Sequence, residues 1–431
     1  MRFLLCALAL SFGVSYADIT ANMLNQTHDG ATINAGTYLN TPGSETKFIN
    51  SAGTGITLNA GSNIRGAEVQ NWQLNGNGGA IHIQAPDQVV RLNGNIDVRG
   101  FVKTGAVYPG DGGKVTVDAA YLFQNGNIYA GGFGGGDVSF NVGGMTMGSN
   151  SRIDATGSIG ELMPNGVHQT GAGGSVIINS TGDVNISQGA MIKTNGANGP
   201  AFVDPQTGKF FQANNLISVS GHMVNMDGVL LADHLENYQG GVISLTAQGA
   251  DADVNIGATG IVQGERSIDI TAGRDVNQQG LVLSKSYSFA FHDPASSVNG
   301  VAGGWGGPIT ISAGRAINQT GRIQSDGAAS SGGWSYPEFS GVWNGGNAGS
   351  ITLSANSITN NGVIRGTGGS SELGRGGDGA NVIFVGATPS GNGSVVTFGG
   401  FGDTNGSLGT ITAPDPASST NTLIGIWKKT P

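Results

Sequence analysis

The sequence predicts an all-β fold: a right-handed parallel β-helix, with three short strands per coil and long loops projecting from one edge. Three observations predict it. A short glycine-led motif of alternating apolar residues recurs along most of the chain. Glycine supplies 78 of the 431 residues, against a usual share of roughly 7%. Charged residues are scarce at 11% while apolar residues reach 38%, which is more hydrophobicity than disordered glycine-rich segments carry.

The first apolar cluster of each repeat alternates with period two, as a half-buried strand does. It is seen in GGAIHIQ from 78, GGKVTVD from 112, GGDVSFN from 135, GGSVIIN from 173 and GGVISLT from 240. RSIDITA from 266, GGPITIS from 306, GSITLSA from 349 and GANVIFV from 379 continue the series, and NLISVSG from 215 is a degenerate copy. A second anchor follows, pairing Ile81 with Val89, Val115 with Leu122, Val138 with Met145 and Val176 with Val184. Ile268 with Val276, Ile309 with Ile317 and Ile351 with Ile358 repeat the spacing. A third anchor comes next, at Ile96, Ile128, Ile153, Ile192, Ile323 and Ile364. No apolar stripe with a 3.6-residue period runs long enough for a sizeable helix. One repeat cannot bury its own apolar face, so the units must stack, with equivalent anchors about 4.8 Å apart.

After the second anchor, Asn185, Asn255, Asn277 and Asn318 mark a corner that Gly189, Gly260, Gly280 and Gly321 close. Asparagines at equivalent positions can bond to one another as a ladder. Asparagine is also a good turn residue in its own right.

Extra residues enter after the third anchor and before the next repeat, at 101–111, 157–173, 196–214, 285–306, 327–348 and 366–379. With the repeats in register, these loops leave one edge, where function tends to concentrate. The two longest carry Tyr287, Phe289, Phe291, Trp305, Trp334, Tyr336, Phe339 and Trp343. Such rings can form a patch that stacks on sugar faces or buries against a protein. They can equally fold back and pack among themselves.

Four segments follow: a signal peptide at 1–17, N-terminal capping strands at 18–77, the β-helix at 78–412, and a cap or docking tail at 413–431. Arg2, an apolar run and Ser15-Tyr16-Ala17 fit a secretory leader cut after Ala17. Cys6, the single cysteine, lies within that leader. The mature chain then has no thiol for a disulfide, a metal site or a nucleophile, and no stretch long enough to span a membrane.

Residues 243–284, ISLTAQGADADVNIGATGIVQGERSIDITAGRDVNQQGLVLS, and 309–325, ITISAGRAINQTGRIQS, resemble the repeats of filamentous-haemagglutinin-type adhesins. These are secreted β-helical exoproteins of Gram-negative bacteria. The resemblance covers most of 78–400 and implies a right-handed β-helix, surface display, adhesion and an outer-membrane transporter as export partner. One departure is clear. The Asn-Pro-Asn-Gly-like signature of two-partner secretion is missing from 18–70, and MPNGV at 163–167 matches it only in part.

Chemistry is sparsely represented. Glu161, Glu236, Glu265, Glu338 and Glu372 share no repeat phase, so paired carboxylates for polysaccharide cleavage are not indicated. Asp251 and Asp253 are a weak calcium suggestion and the six histidines lack metal-ligand spacing. No cofactor or metal is expected, and a net charge of −9 argues against nucleic acid. Two functions remain: an adhesin binding a host or matrix glycan or protein through its loops, or a structural subunit stacking with copies of itself into an extracellular fibre. A polysaccharide-degrading enzyme is the weaker third.

Overall fold

The computed structural model describes most of 27–68 in short pieces, and 78–429 apart from 101–109, 158, 163–167, 197–214, 234–240, 287, 294–297 and 337–338. The proposed leader lies outside the described residues. The fold is all-β. Among the described residues, strands fall into parallel sheets of 23 and 13, with two small antiparallel sheets of two and four strands. Among the described residues the single helical segment is a 3-10 turn at Pro416–Ser418, and no helix is long and apolar enough to cross a membrane.

The architecture is solenoid-like because each strand pairs with its equivalent one repeat away. Ser175–Ser180, Leu216–Gly221, Val242–Ala247, Ser267–Ala272, Ile309–Ala313 and Ile351–Ser354 pair successively in one series. Val184–Ile186, Val224–Met226, Val254–Ile256, Asp275–Gln278, Ala316–Gln319 and Ser357–Asn360 form a second. A third runs through Met191–Lys193, Val229–Ala232, Ile261–Gly264, Leu281–Lys285, Arg322–Asp326 and Val363–Thr367 in the 13-stranded sheet. The pairing extends beyond the regular repeats. Glu45–Ile49 joins Ala80–Leu92, and Ile426–Lys429 joins Thr410–Ala413.

Register stacks like on like. Val115, Val138, Val176, Ile217, Ile243, Ile268, Ile309 and Ile351 are consecutive partners in one column, and all are buried. Ile96, Ile128, Ile153, Ile192, Leu230, Val262, Val282, Ile323 and Ile364 form another. Each strand contributes apolar residues at alternate positions, so the buried faces line one continuous core. One anchor needs correction: Val89 is 37% exposed and Val90 is fully buried. The register shifts between Ala85 and Val89, because the extra residues around Pro86 displace the alternation by one.

Polar residues also enter this core. Gln124, Gln278 and Gln319 are fully buried, Gln124 in line with Met147, Gln278 with Ile256, and Gln319 with Gln278. Each side-chain amide donates to the carbonyl two residues on, at Gly126, Gly280 and Gly321, over 2.6, 2.5 and 2.6 Å. A buried amide is tolerated where its N–H finds a carbonyl; the Gly280 and Gly321 carbonyls also accept the backbone N–H of Arg322 and Val363.

Glycine abundance has a structural reason beyond turns. Gly189 does take φ of +84°, but at the loop roots the need is for close approach. Gly346 N donates to Ala328 O, Gly369 N to Gly346 O, Gly377 N to Gly369 O and Gly400 N to Gly377 O. A Cβ on Gly346 would lie 1.8 Å from Gly304 O. Backbones this close leave no room for any side chain.

Candidate functional site

The insertions begin after strands of the third series and end before strands of the first. The two longest are built into one element. Ser288–Asp293 and Val298–Gly303 form a hairpin, Ser331–Tyr336 and Phe339–Val342 form another, and the two pair antiparallel in a four-stranded sheet. The contact between loops is Asn299 with Gly333, Gly300 with Gly332 and Val301 with Ser331.

Register settles how the aromatic positions relate. Phe289 is opposite Ala302, Phe291 opposite Gly300, and Gly300 opposite Gly332. Trp334 lies two residues beyond Gly332 and opposite Gly341, with Tyr336 opposite Phe339. Directly opposed residues share a face, and so do residues two apart. Phe289, Phe291, Trp334, Tyr336 and Phe339 therefore share one register phase of the sheet. Asp293 is the single charged position in that phase among the four strands.

The other three aromatic candidates are placed differently. Tyr287 lies outside the described residues. Trp305 is 65% exposed and stands at the loop root, where Gly303 N donates to Asn344 O and Gly306 N to Asn347 O. Trp343 is half-buried, and its carbonyl accepts from Ser330 Oγ at 2.8 Å and Ser371 Oγ at 2.6 Å. The loop residues are thus not one cluster: a register phase of the sheet, a root and a pinned position are distinct.

Sequence reasoning missed three exposed apolar residues on neighbouring loops. Val342, Leu373 and Phe401 are exposed, Phe401 by 76%. They fall on successive loops, the first two tied by Gly345 N to Arg375 O and the last two by Ser371 N to Phe401 O and Asp403 N to Gly374 O. Only the shortness of loops 366–379 and 399–409 hid them, since neither is rich in aromatics.

Polar side chains organise two other surfaces. Asn225, Asn255, Asn277 and Asn318 each donate their side-chain amide to the preceding asparagine at 2.8 Å, beginning with Asn185. These residues sit within strands, on the face opposite the core, and not at a corner. Asn225 was overlooked because its repeat is degenerate.

At the bend between the first and second series, charges alternate from repeat to repeat. His222 contacts Asp183 at 3.2 Å through Nδ1 and Asp251 at 3.3 Å through Nε2. The carboxylate of Asp183, and then that of Asp251, raises the His222 pKa. Arg274 grips Asp253 through Nε at 2.8 Å and Nη2 at 2.5 Å. Arg315 does the same to Asp275, which lowers the Asp275 pKa. The Asp253 carboxylate is thus held by the Arg274 guanidinium, and Asp251 lies within hydrogen-bond distance of the His222 ring. Among the described residues no group of His, Cys, Asp and Glu is arranged to hold a metal ion.

Fold and edge together define the class: an all-β, solenoid-like protein whose longest loops join in a sheet of their own. Comparison with known proteins found no matching family model, curated protein or solved structure.

Proposed function

We propose that the chain is an exported or surface-displayed β-helical adhesin of a Gram-negative bacterium, binding a glycan or protein through loops 285–306 and 327–348. In this reading the parallel series wind right-handed, with three strands to a coil. The 1–17 segment serves as the export leader, and a transporter in the outer membrane is the partner for release. The repeats of 243–284 and 309–325 support the family resemblance. One observation carries the function: two insertions separated in sequence share a single sheet and put five aromatic residues in the same phase. Two loops with no shared role have no reason to bring their aromatic residues into one register phase.

The test is a binding assay on immobilised oligosaccharides and extracellular-matrix proteins. It compares the full chain with a Trp334→Ser, Tyr336→Ser, Phe339→Ser variant. Loss of binding on the order of tenfold or more is expected, since buried aromatic anchors typically contribute most of a contact's energy. Equal binding by the variant overturns the loop assignment. Filaments of regular width seen by electron microscopy, together with unchanged binding, would instead favour a structural subunit.

A further inference from the structure

A second surface lies on the opposite side of the chain's division of labour: the outer face of the first strand series. Its residues are set by register in two columns. One reads Ser218, Ser244, Asp269, Thr310 and Thr352; the other reads Ser220, Thr246, Thr271, Ser312 and Ser354. Nine of these ten positions carry a hydroxyl. The array is bounded by Ile177 and Asn179 at one end and by Ile383 and Val385 at the other. No register shift interrupts it.

Three properties distinguish this face from an ordinary solvated one. First, it is periodic in two directions, with rungs about 4.8 Å apart and columns about 6.6 Å apart, two residues along a strand. Second, all but one of its hydroxyls are unused by the protein; Ser220 Oγ, on the first rung, donates to Ile178 O at 3.4 Å and to Asn179 Oδ1 at 3.5 Å. Among the described residues, those of Ser218, Ser244, Thr246, Thr271, Thr310, Ser312, Thr352 and Ser354 make no hydrogen bond. The next repeats toward the N-terminus differ, because there Asn179 donates to Asn141 and Asn141 to Asp118. The asparagine ladder on the adjoining series is likewise closed on itself. Third, the face is nearly neutral, and Asp269 is its one charge. The insertions all enter before this series, and the connections leaving it are short.

Hydroxyls held on a rigid lattice, with no protein partner, bond to water. A regular array holds that water in regular positions. The rung spacing is close to the shorter oxygen repeat on a prism face of hexagonal ice, and the two columns supply the second direction of the array. A neutral ligand with matching two-dimensional order gains from every rung at once, whereas a charged or irregular one does not. We infer that the Ser/Thr face of residues 218–354 binds ice, a property independent of the loop-borne adhesion proposed above.

The experiment uses the purified full chain with ice as the probe, reading crystal shape, the gap between melting and freezing, and recrystallisation in frozen sucrose. The wild type should facet growing crystals and slow recrystallisation. A Thr246→Tyr, Thr310→Tyr variant sets two rings upright on the flat face. It should require on the order of tenfold more protein for the same effect, the equivalent of about 1.4 kcal/mol of lost binding. Thr359→Tyr, on the second series, should leave the effect unchanged, as should deletion of 327–348. A milder Thr246→Val, Thr310→Val pair covers the case in which the tyrosines disturb folding, which far-ultraviolet circular dichroism reports. Spherical, unmodified crystals with the wild type overturn the inference. So does equal potency of the tyrosine pair and Thr359→Tyr in folded protein.

Discussion

His222 shows how one side chain couples three repeats. Both ring nitrogens face carboxylates, so the doubly protonated imidazolium is the form that satisfies both contacts. Its pKa is raised from an ordinary 6.5 by Asp183 and then Asp251, and that of Asp251 is lowered by His222. The sign follows from linkage. A raised histidine pKa stabilises the fold fully below 6.5 and loses that contribution as pH rises through the folded-state value. The lowered Asp251 pKa adds stability above 3.8 that disappears as pH falls through its folded-state value. The stability gap between wild type and His222→Gln should be widest near pH 5 and close at pH 9. Urea unfolding midpoints at the two pH values check it, and a gap independent of pH would refute the bridge.

At the level of elements, the asparagine ladder ties five strands of the second series edge to edge. Asn255 both donates to Asn225 and accepts from Asn277, while Asn318, among the described residues, makes only the donated bond. A net contribution of roughly 1 kcal/mol per hydrogen bond makes Asn255→Ala cost about twice as much as Asn318→Ala. Denaturant titration of the two variants measures the ratio. Equal losses would mean that the ladder adds nothing beyond the turn and strand propensities of asparagine. The periodic elements were readable because a pleated strand must alternate, and Val176, Ile217 and Ile243 do so without exception. Val89 was misassigned where a local register shift broke the alternation. The buried glutamines went unnoticed because a polar letter gives no hint that its amide turns inward to cap a carbonyl.

For the whole molecule, pairing is local in one dimension: each repeat bonds to the repeat before it and the repeat after it. Stability is then a sum of repeat and interface terms. Ile270 is fully buried at the middle of the stack, and Ile270→Ala should cost about 2–5 kcal/mol through the lost contacts and the cavity left. Because neighbours communicate only through shared faces, that variant should also separate the unfolding of the two ends. Urea unfolding followed by limited proteolysis should show two steps where the wild type shows one. A single unchanged transition would contradict this picture.

The amino-acid sequence determined the strand period, the stacking of like anchors and the edge at which insertions enter. Each of these follows from where apolar residues recur, and that is written residue by residue. Only the tertiary structure decided that loops 285–306 and 327–348 share a sheet. That contact is made by the backbones of Asn299 to Val301 and Ser331 to Gly333, and backbone hydrogen bonds leave no mark in side-chain letters. It likewise decided which hydroxyls remain unpaired, since a serine has the same letter whether its partner is a neighbour or water.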